Sequence, residues 1–136
     1  MTLENLIGIP YKERGRDKSG LDCFGLVVLF YKEILGIDLP DYTGYSGKWY
    51  KEGRRVLTDK LNEFKKLWSS VELDKILPND IISFRLGASI ANHCAVYLGD
   101  GRMIHCYEDT PVVIEKLFRP YWTNRIMSIM RYKWSE

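Results

Sequence analysis

The chain has 136 residues, 46% of them hydrophobic, and carries 20 Lys and Arg against 18 Asp and Glu for a formal net charge of +2. Such a length and apolar share suit one domain spanning residues 1–136 with a single core, and a charge so near balance gives no footing to nucleic-acid or membrane binding. Nothing approaches the run of about 18 apolar residues that a membrane span needs. Met1 to Pro10 lacks a basic start followed by an apolar stretch, so synthesis in the cytoplasm, with the three cysteines reduced, is the expectation.

In chain order, Leu3, Leu6 and Ile7 fit one helical turn that Pro10-Tyr11 ends, and residues 12–19, with Lys12, Arg14, Arg16 and Lys18, read as a polar loop. Gly20-Leu21-Asp22-Cys23-Phe24-Gly25-Leu26 then opens a helix predicted over residues 22–35. Asp22 is a good N-cap because its carboxylate accepts N–H bonds from the first turn. Val27, Val28, Phe30, Tyr31, Ile34 and Leu35 continue the apolar pattern as far as Gly36, a residue suited to a left-handed helix end. A thiol in the first turn meets the positive end of the helix dipole, which favours the thiolate. Cys23 is therefore a candidate nucleophile, to be weighed against a buried, inert cysteine.

Residues 37–47 are irregular, with Tyr42 and Tyr45 among glycines, and a second amphipathic helix is predicted from about residue 49 to 69 as a surface cover. After Pro78-Asn79-Asp80 the texture turns to strand. Strands are predicted over 81–84, 93–98, 102–107, 112–115 and 125–132, with Gly99-Asp100-Gly101 joining the second and third as a hairpin. Helices followed by about five short strands in a small antiparallel sheet make an α+β arrangement.

The two histidines, His93 and His105, both fall in that hairpin. Histidine is the usual base that activates a thiol, and it needs a further group to hold its ring. A two-residue turn at Asp100-Gly101 pairs positions whose numbers sum to 201 and sends the two rings to opposite faces. A three-residue loop gives a sum of 200 and puts His105 opposite Ala95, diagonal to His93 on one face, where two imidazoles can meet. The catalytic reading thus predicts an odd loop length. It also puts Ala95 between the histidines, where a small side chain would let the Cys23 helix approach. Cys94 and Cys106 come out opposite each other on the other face, which argues against all four His and Cys side chains converging on zinc. They are expected to be small core residues.

These motifs, taken together, resemble the NlpC-type cell-wall endopeptidases, a branch of the papain-like cysteine peptidases. The likeness rests on Asp22-Cys23 followed by Gly25-Leu26-Val27, on His93-Cys94-Ala95-Val96-Tyr97-Leu98-Gly99, on His105 twelve positions after His93, and on Tyr11 twelve positions before Cys23. With Leu39-Pro40 it is most similar to versions in tail-assembly proteins of long-tailed phages and prophages. The resemblance implies a papain-like fold and a catalytic set in which Cys23 is the nucleophile, His93 the general base, His105 its orienter and Tyr11 an oxyanion donor. It implies that Asp22 can also bind a substrate amine, and that the substrate is a peptidoglycan stem peptide cut between D-γ-glutamate and a diamino acid. No metal or other cofactor is implied. The implied partners are the stem peptide and other phage tail proteins, at a virion tail tip acting on the bacterial cell wall. Phe24 departs from the family, where a serine that helps to bind the amine often follows the nucleophile, and Arg14-Gly15 replaces a common Gly-Gly pair. The alternatives are an amidase or acyltransferase using the same Cys-His-His site, or a non-catalytic structural tail component.

Overall fold

The computed structural model describes residues 1–39, 67–89 and 91–133. The helix expected over 49–69 lies outside them as far as residue 66, as do Tyr42 and Tyr45. A 3-10 turn at Leu3–Asn5 leads into the chain and Leu6 behind it is fully buried. The segment read as a loop contains a small ribbon, β1 (Arg16–Asp17) antiparallel to β2 (Gly20–Leu21). Helix α1 spans Cys23–Phe30. It continues as a π-helical turn over Tyr31–Leu35 and ends at Gly36, whose φ of 71° is the left-handed geometry expected there.

The remaining elements are β3 (Trp68–Ser70), β4 (Ile81–Phe84), β5 (His93–Gly99), β6 (Arg102–Tyr107), β7 (Thr110–Lys116), the one-turn helix α2 (Pro120–Thr123) and β8 (Ile126–Tyr132). The strands form one six-stranded antiparallel sheet in the order β3-β8-β4-β5-β6-β7. The fold is α+β, and this sheet has one strand more than expected. That strand, β3, takes residues read as the end of the second helix. Trp68 pairs with Tyr132 and packs its ring on Tyr31 and Tyr132, so pairing and aromatic burial override a helical spacing.

The β5–β6 hairpin reaches the predicted register by another route. Its tip is a two-residue turn in which Asp100 and Gly101 both have positive φ, 54° and 76°, and Gly99 pairs with Arg102. This Asp-Gly turn has the hand that suits twisted strands. A bulge between Tyr97 and Gly99 then shifts the pairing, so that Val96 faces Ile104 and Tyr97 faces Met103. The extra residue that changes the parity sits in the bulge rather than in the loop.

Alternation along β5 and β6 separates two cores. Cys94, Val96, Ile104 and Cys106 pack with Phe24, Leu26, Val27 and Phe30 of α1. Ala95, Tyr97 and Met103 pack with Ile82, Phe84, Leu117 and Trp122 on the other face. Ala95 therefore does not make room for α1, as its place between the histidines had suggested. The β5 and β6 side chains packed with α1 include Cys94 and Cys106 instead.

Candidate active site

Tyr11, Cys23 and His93 line one cleft of about 190 Å³, together with Leu86, Asn92, Tyr107 and Glu108. Cys23 is the first residue of α1, and Asp22 caps that helix by accepting a 2.7 Å bond from the Gly25 N–H. Cys23 thus stands in the first turn, at the positive end of the helix dipole, and it is partly exposed.

The loop before the helix is locked onto it. Asp22 is 4% exposed. Its other oxygen accepts the Arg14 N–H at 2.9 Å, while the Arg16 guanidinium donates to the capping oxygen at 2.8 Å and to the Gly15 carbonyl at 2.8 Å. The Arg16 guanidinium carbon also lies 5.8 Å from the centre of the Phe24 ring. A Cβ added at Gly25 would lie 2.0 Å from the Gly15 carbonyl oxygen, and one at Gly15 would lie 2.1 Å from that of Gly20, so both glycines are required by close backbone approach. Tyr11 is held by an isolated bridge to Leu21, flanked by bonds from Lys12 N–H to the Leu21 carbonyl and from Leu21 N–H to the Pro10 carbonyl, each 3.0 Å. Burial, then the neighbouring Cys23, pushes the Tyr11 phenol well above its ordinary value, which keeps it an O–H donor.

On the sheet side, His93 Nε2 and His105 Nδ1 are 2.8 Å apart, the diagonal contact that the register requires. His93 is 2% exposed and His105 fully buried. His105 Nε2 in turn meets the Glu115 carboxylate at 2.5 Å. Glu115 lies directly opposite Met103 in the β6–β7 pairing, so it too is a diagonal neighbour of His105. Burial, then His105, holds the proton affinity of His93 well below the usual imidazole range. His105 is also lowered by burial, against the opposing pull of Glu115. Trp122, set by α2, packs edge-on to His105 with ring centres 5.0 Å apart and lies 6.1 Å from His93. Asn92 fixes the rim ahead of β5, accepting from Leu86 N–H at 2.7 Å and donating to its carbonyl at 2.8 Å.

The structure thus brings Tyr11, Cys23 and His93 onto one cleft, with His105 directly behind His93. Asp22 caps the helix and pins the loop but is not among the residues lining the cleft. Glu115, Trp122 and Asn92 were not identified from sequence. The diagonal rule that linked the two histidines would have found Glu115 had the β6–β7 register been known, but a shift between His105 and Tyr107 hides it.

A cysteine at a helix N-terminus sharing a cleft with a sheet-borne histidine on an α+β fold fits a class of thiol-dependent sites. Residues 8–131 match the family described as the NlpC/P60 family, and the chain belongs to it. It is 27% identical over 118 residues to the murein DD-endopeptidase MepS/murein LD-carboxypeptidase of Escherichia coli (strain K12), covering 87% of this chain and 53% of that protein. It is 28% identical over 133 residues to the tail tip assembly protein K of Escherichia phage lambda, covering 97% of this chain and 64% of that one. The chain therefore spans between half and two thirds of these relatives' lengths. Among solved structures it is similar to an NlpC/P60 family protein from Bacillus cereus ATCC 10987, with a TM-score of 0.67 and 25% identity over 93% of this chain and 36% of the other. The NlpC/p60 domain of the peptidoglycan hydrolase SagA shares the fold, with a TM-score of 0.62 at 19% identity.

Proposed function

We propose that the protein is a cysteine endopeptidase that hydrolyses peptidoglycan stem peptides at the D-γ-glutamyl–diamino acid bond. The observation that carries this reading is the shared cleft of Cys23 and His93, with His105 bonded behind the base. His93 takes the Cys23 proton, and the thiolate attacks the amide carbonyl. The Tyr11 O–H and the Cys23 N–H donate to the oxyanion, a kind of contact worth roughly 3 kcal/mol per donor. The C–N bond breaks as His93 returns the proton to the leaving amine, and water then hydrolyses the thioester. The names of the relatives support a murein substrate and a setting at a phage or prophage tail tip among other tail proteins.

The expected amine-binding role of Asp22 takes a particular form in this chain. The Arg16 guanidinium already holds one Asp22 oxygen, with the Phe24 ring near it, and the Arg14 N–H holds the other. A free stem-peptide amine therefore adds little to binding.

Digestion of purified peptidoglycan and of a synthetic stem peptide, free or acetylated at its N-terminus, tests both parts by mass spectrometry. Wild type is expected to cut both peptides at similar rates and Cys23→Ala to cut neither. Identical fragments from the two proteins exclude Cys23 as nucleophile. Absence of fragments from wild type favours the non-catalytic tail component. Cleavage at another amide favours an amidase.

A further inference from the structure

We propose that Glu115 is a positioning residue that sets where the protons lie in both histidines, so that His93 presents a bare nitrogen to the thiol. The inference deepens the proposed function and rests on His93 serving as base to Cys23.

A chain of hydrogen bonds runs inward from the carboxylate. His105 is fully buried and His93 only 2% exposed, so the nitrogens turned away from the cleft depend on protein partners. A carboxylate only accepts, so His105 Nε2, which faces Glu115 Oε2, must carry the hydrogen. A neutral His105 then has a bare Nδ1. That atom lies 2.8 Å from His93 Nε2, which must therefore be the N–H of His93. The nitrogen left bare on His93 is Nδ1, the one free to take the thiol proton. Burial holds both rings toward the neutral form that this scheme needs. When the thiol proton arrives, a positive charge appears inside the protein, and Glu115, one ring further out, opposes it. Its side chain is 35% exposed, on a second cleft lined by Leu86, Tyr107, Arg119, Tyr121 and Trp122, so it keeps contact with solvent while bonding to a buried ring. Without Glu115, nothing in this chain of bonds prefers one tautomer of His105 over the other.

The chain has two histidines, so the ring nitrogens can be assigned in 15N-labelled protein from long-range 1H–15N spectra. Both protons are expected on Nε2 in wild type near pH 7.5. Glu115→Gln keeps an acceptor and is expected to keep both tautomers while losing the charge. Glu115→Ala is expected to lose the fixed tautomer of His105. Alkylation of Cys23 by iodoacetamide across pH, read site by site by mass spectrometry, gives a second measure. We expect about a tenfold slower reaction near neutrality for Glu115→Gln and a larger loss for Glu115→Ala, within the roughly 10²–10⁴-fold that a general base contributes as a whole. Wild-type tautomers in Glu115→Ala overturn the proposal, and slower alkylation of that variant with its tautomers unchanged marks a packing role instead. If Glu115→Ala does not fold, Glu115→Gln decides alone: an unaltered alkylation profile overturns the proposal. Neither measurement uses a substrate, so failure to cleave peptidoglycan is a separate result.

Discussion

The dipeptide His-Cys occurs twice, at 93–94 and 105–106, and the sheet treats its two members in opposite ways. On one face the imidazoles bond to each other and outward to Glu115. On the other the thiols sit beneath α1 at 1% and 0% exposure. There Cys94 is held protonated first by its hydrogen bond to Cys23 and then by burial, and Cys106 by burial and then by Cys23 and Asp22. Cys23 touches Cys94 but differs from both in its placement. It has the same side chain, placed on a helix end at the cleft instead of on a strand interior. The surroundings of each cysteine in this molecule follow from the face and the element that carry it, not from the residue type.

Neighbouring substitutions on opposite faces test this most strongly. His93→Ala should lower turnover of the stem peptide by about 10²–10⁴-fold, the usual contribution of a general base, with Cys23 still buried to the same degree. Cys94→Ala should keep turnover within about tenfold, since an S–H is a weak donor, and should cost about 1 kcal/mol of stability for the methyl-sized void. Steady-state rates and urea midpoints separate the two. Comparable rate losses would mean that Cys94 is part of the reaction and that the division between faces fails.

The helix end offers a smaller and opposite test. Inside a helix, Gly25→Ala gains about 1 kcal/mol of propensity. Here the added methyl would lie 2.0 Å from the Gly15 carbonyl oxygen, a backbone atom that cannot rotate away, and overpacking of this kind costs about 1–3 kcal/mol. The net expectation is destabilisation by up to about 2 kcal/mol, together with a displaced Arg16 loop and lower activity. A Gly25→Ala protein with a higher urea midpoint and full activity would show that the loop does not hold the helix end.

How much of this was visible in the sequence depends on the range of the signal. Asp22 as a cap, Gly36 as a left-handed stop and the strand at Ile81–Phe84 are local, and local chemistry foretold them. The diagonal of His93 and His105 was also legible, because strand parity is a strict rule. The device that sets the parity was not, since a bulge has no marker in Tyr97-Leu98-Gly99 as clear as the Asp100-Gly101 turn. Trp68 in a strand and Trp122 over the imidazoles depend on partners outside any local window, and Glu115, ten residues after His105, depends on a strand register that the sequence does not mark. Arg16 was read as part of a solvated loop, and only the fold shows it bound to Asp22.

The two faces should also fail at opposite ends of the pH scale, which gives the smallest and most direct measure of their difference. An unfolded histidine takes up a proton near pH 6.5, whereas His93 and His105 resist it when folded. Below about pH 6.5 the unfolded chain therefore binds more protons than the folded one. The stability is fully present above that value and falls as the solution becomes more acidic, by up to about 1.4 kcal/mol per pH unit for each histidine. His105 contributes less, because Glu115 opposes its burial. The window from about pH 6.5 to 5.5 lies above the usual carboxylate range, and His93→Asn should flatten the slope there by up to one proton's worth. The thiols work the other way. Cys94 and Cys106 hold their protons more tightly when folded, so their contribution is complete below about pH 8.5, where a free cysteine ionises, and is lost as the solution becomes more alkaline. Urea unfolding at half-unit intervals from pH 5.5 to 9.5 should trace both limbs. An acid limb that His93→Asn leaves unchanged, or an alkaline limb that survives Cys94→Ala and Cys106→Ala together, would assign that limb to groups elsewhere in the molecule.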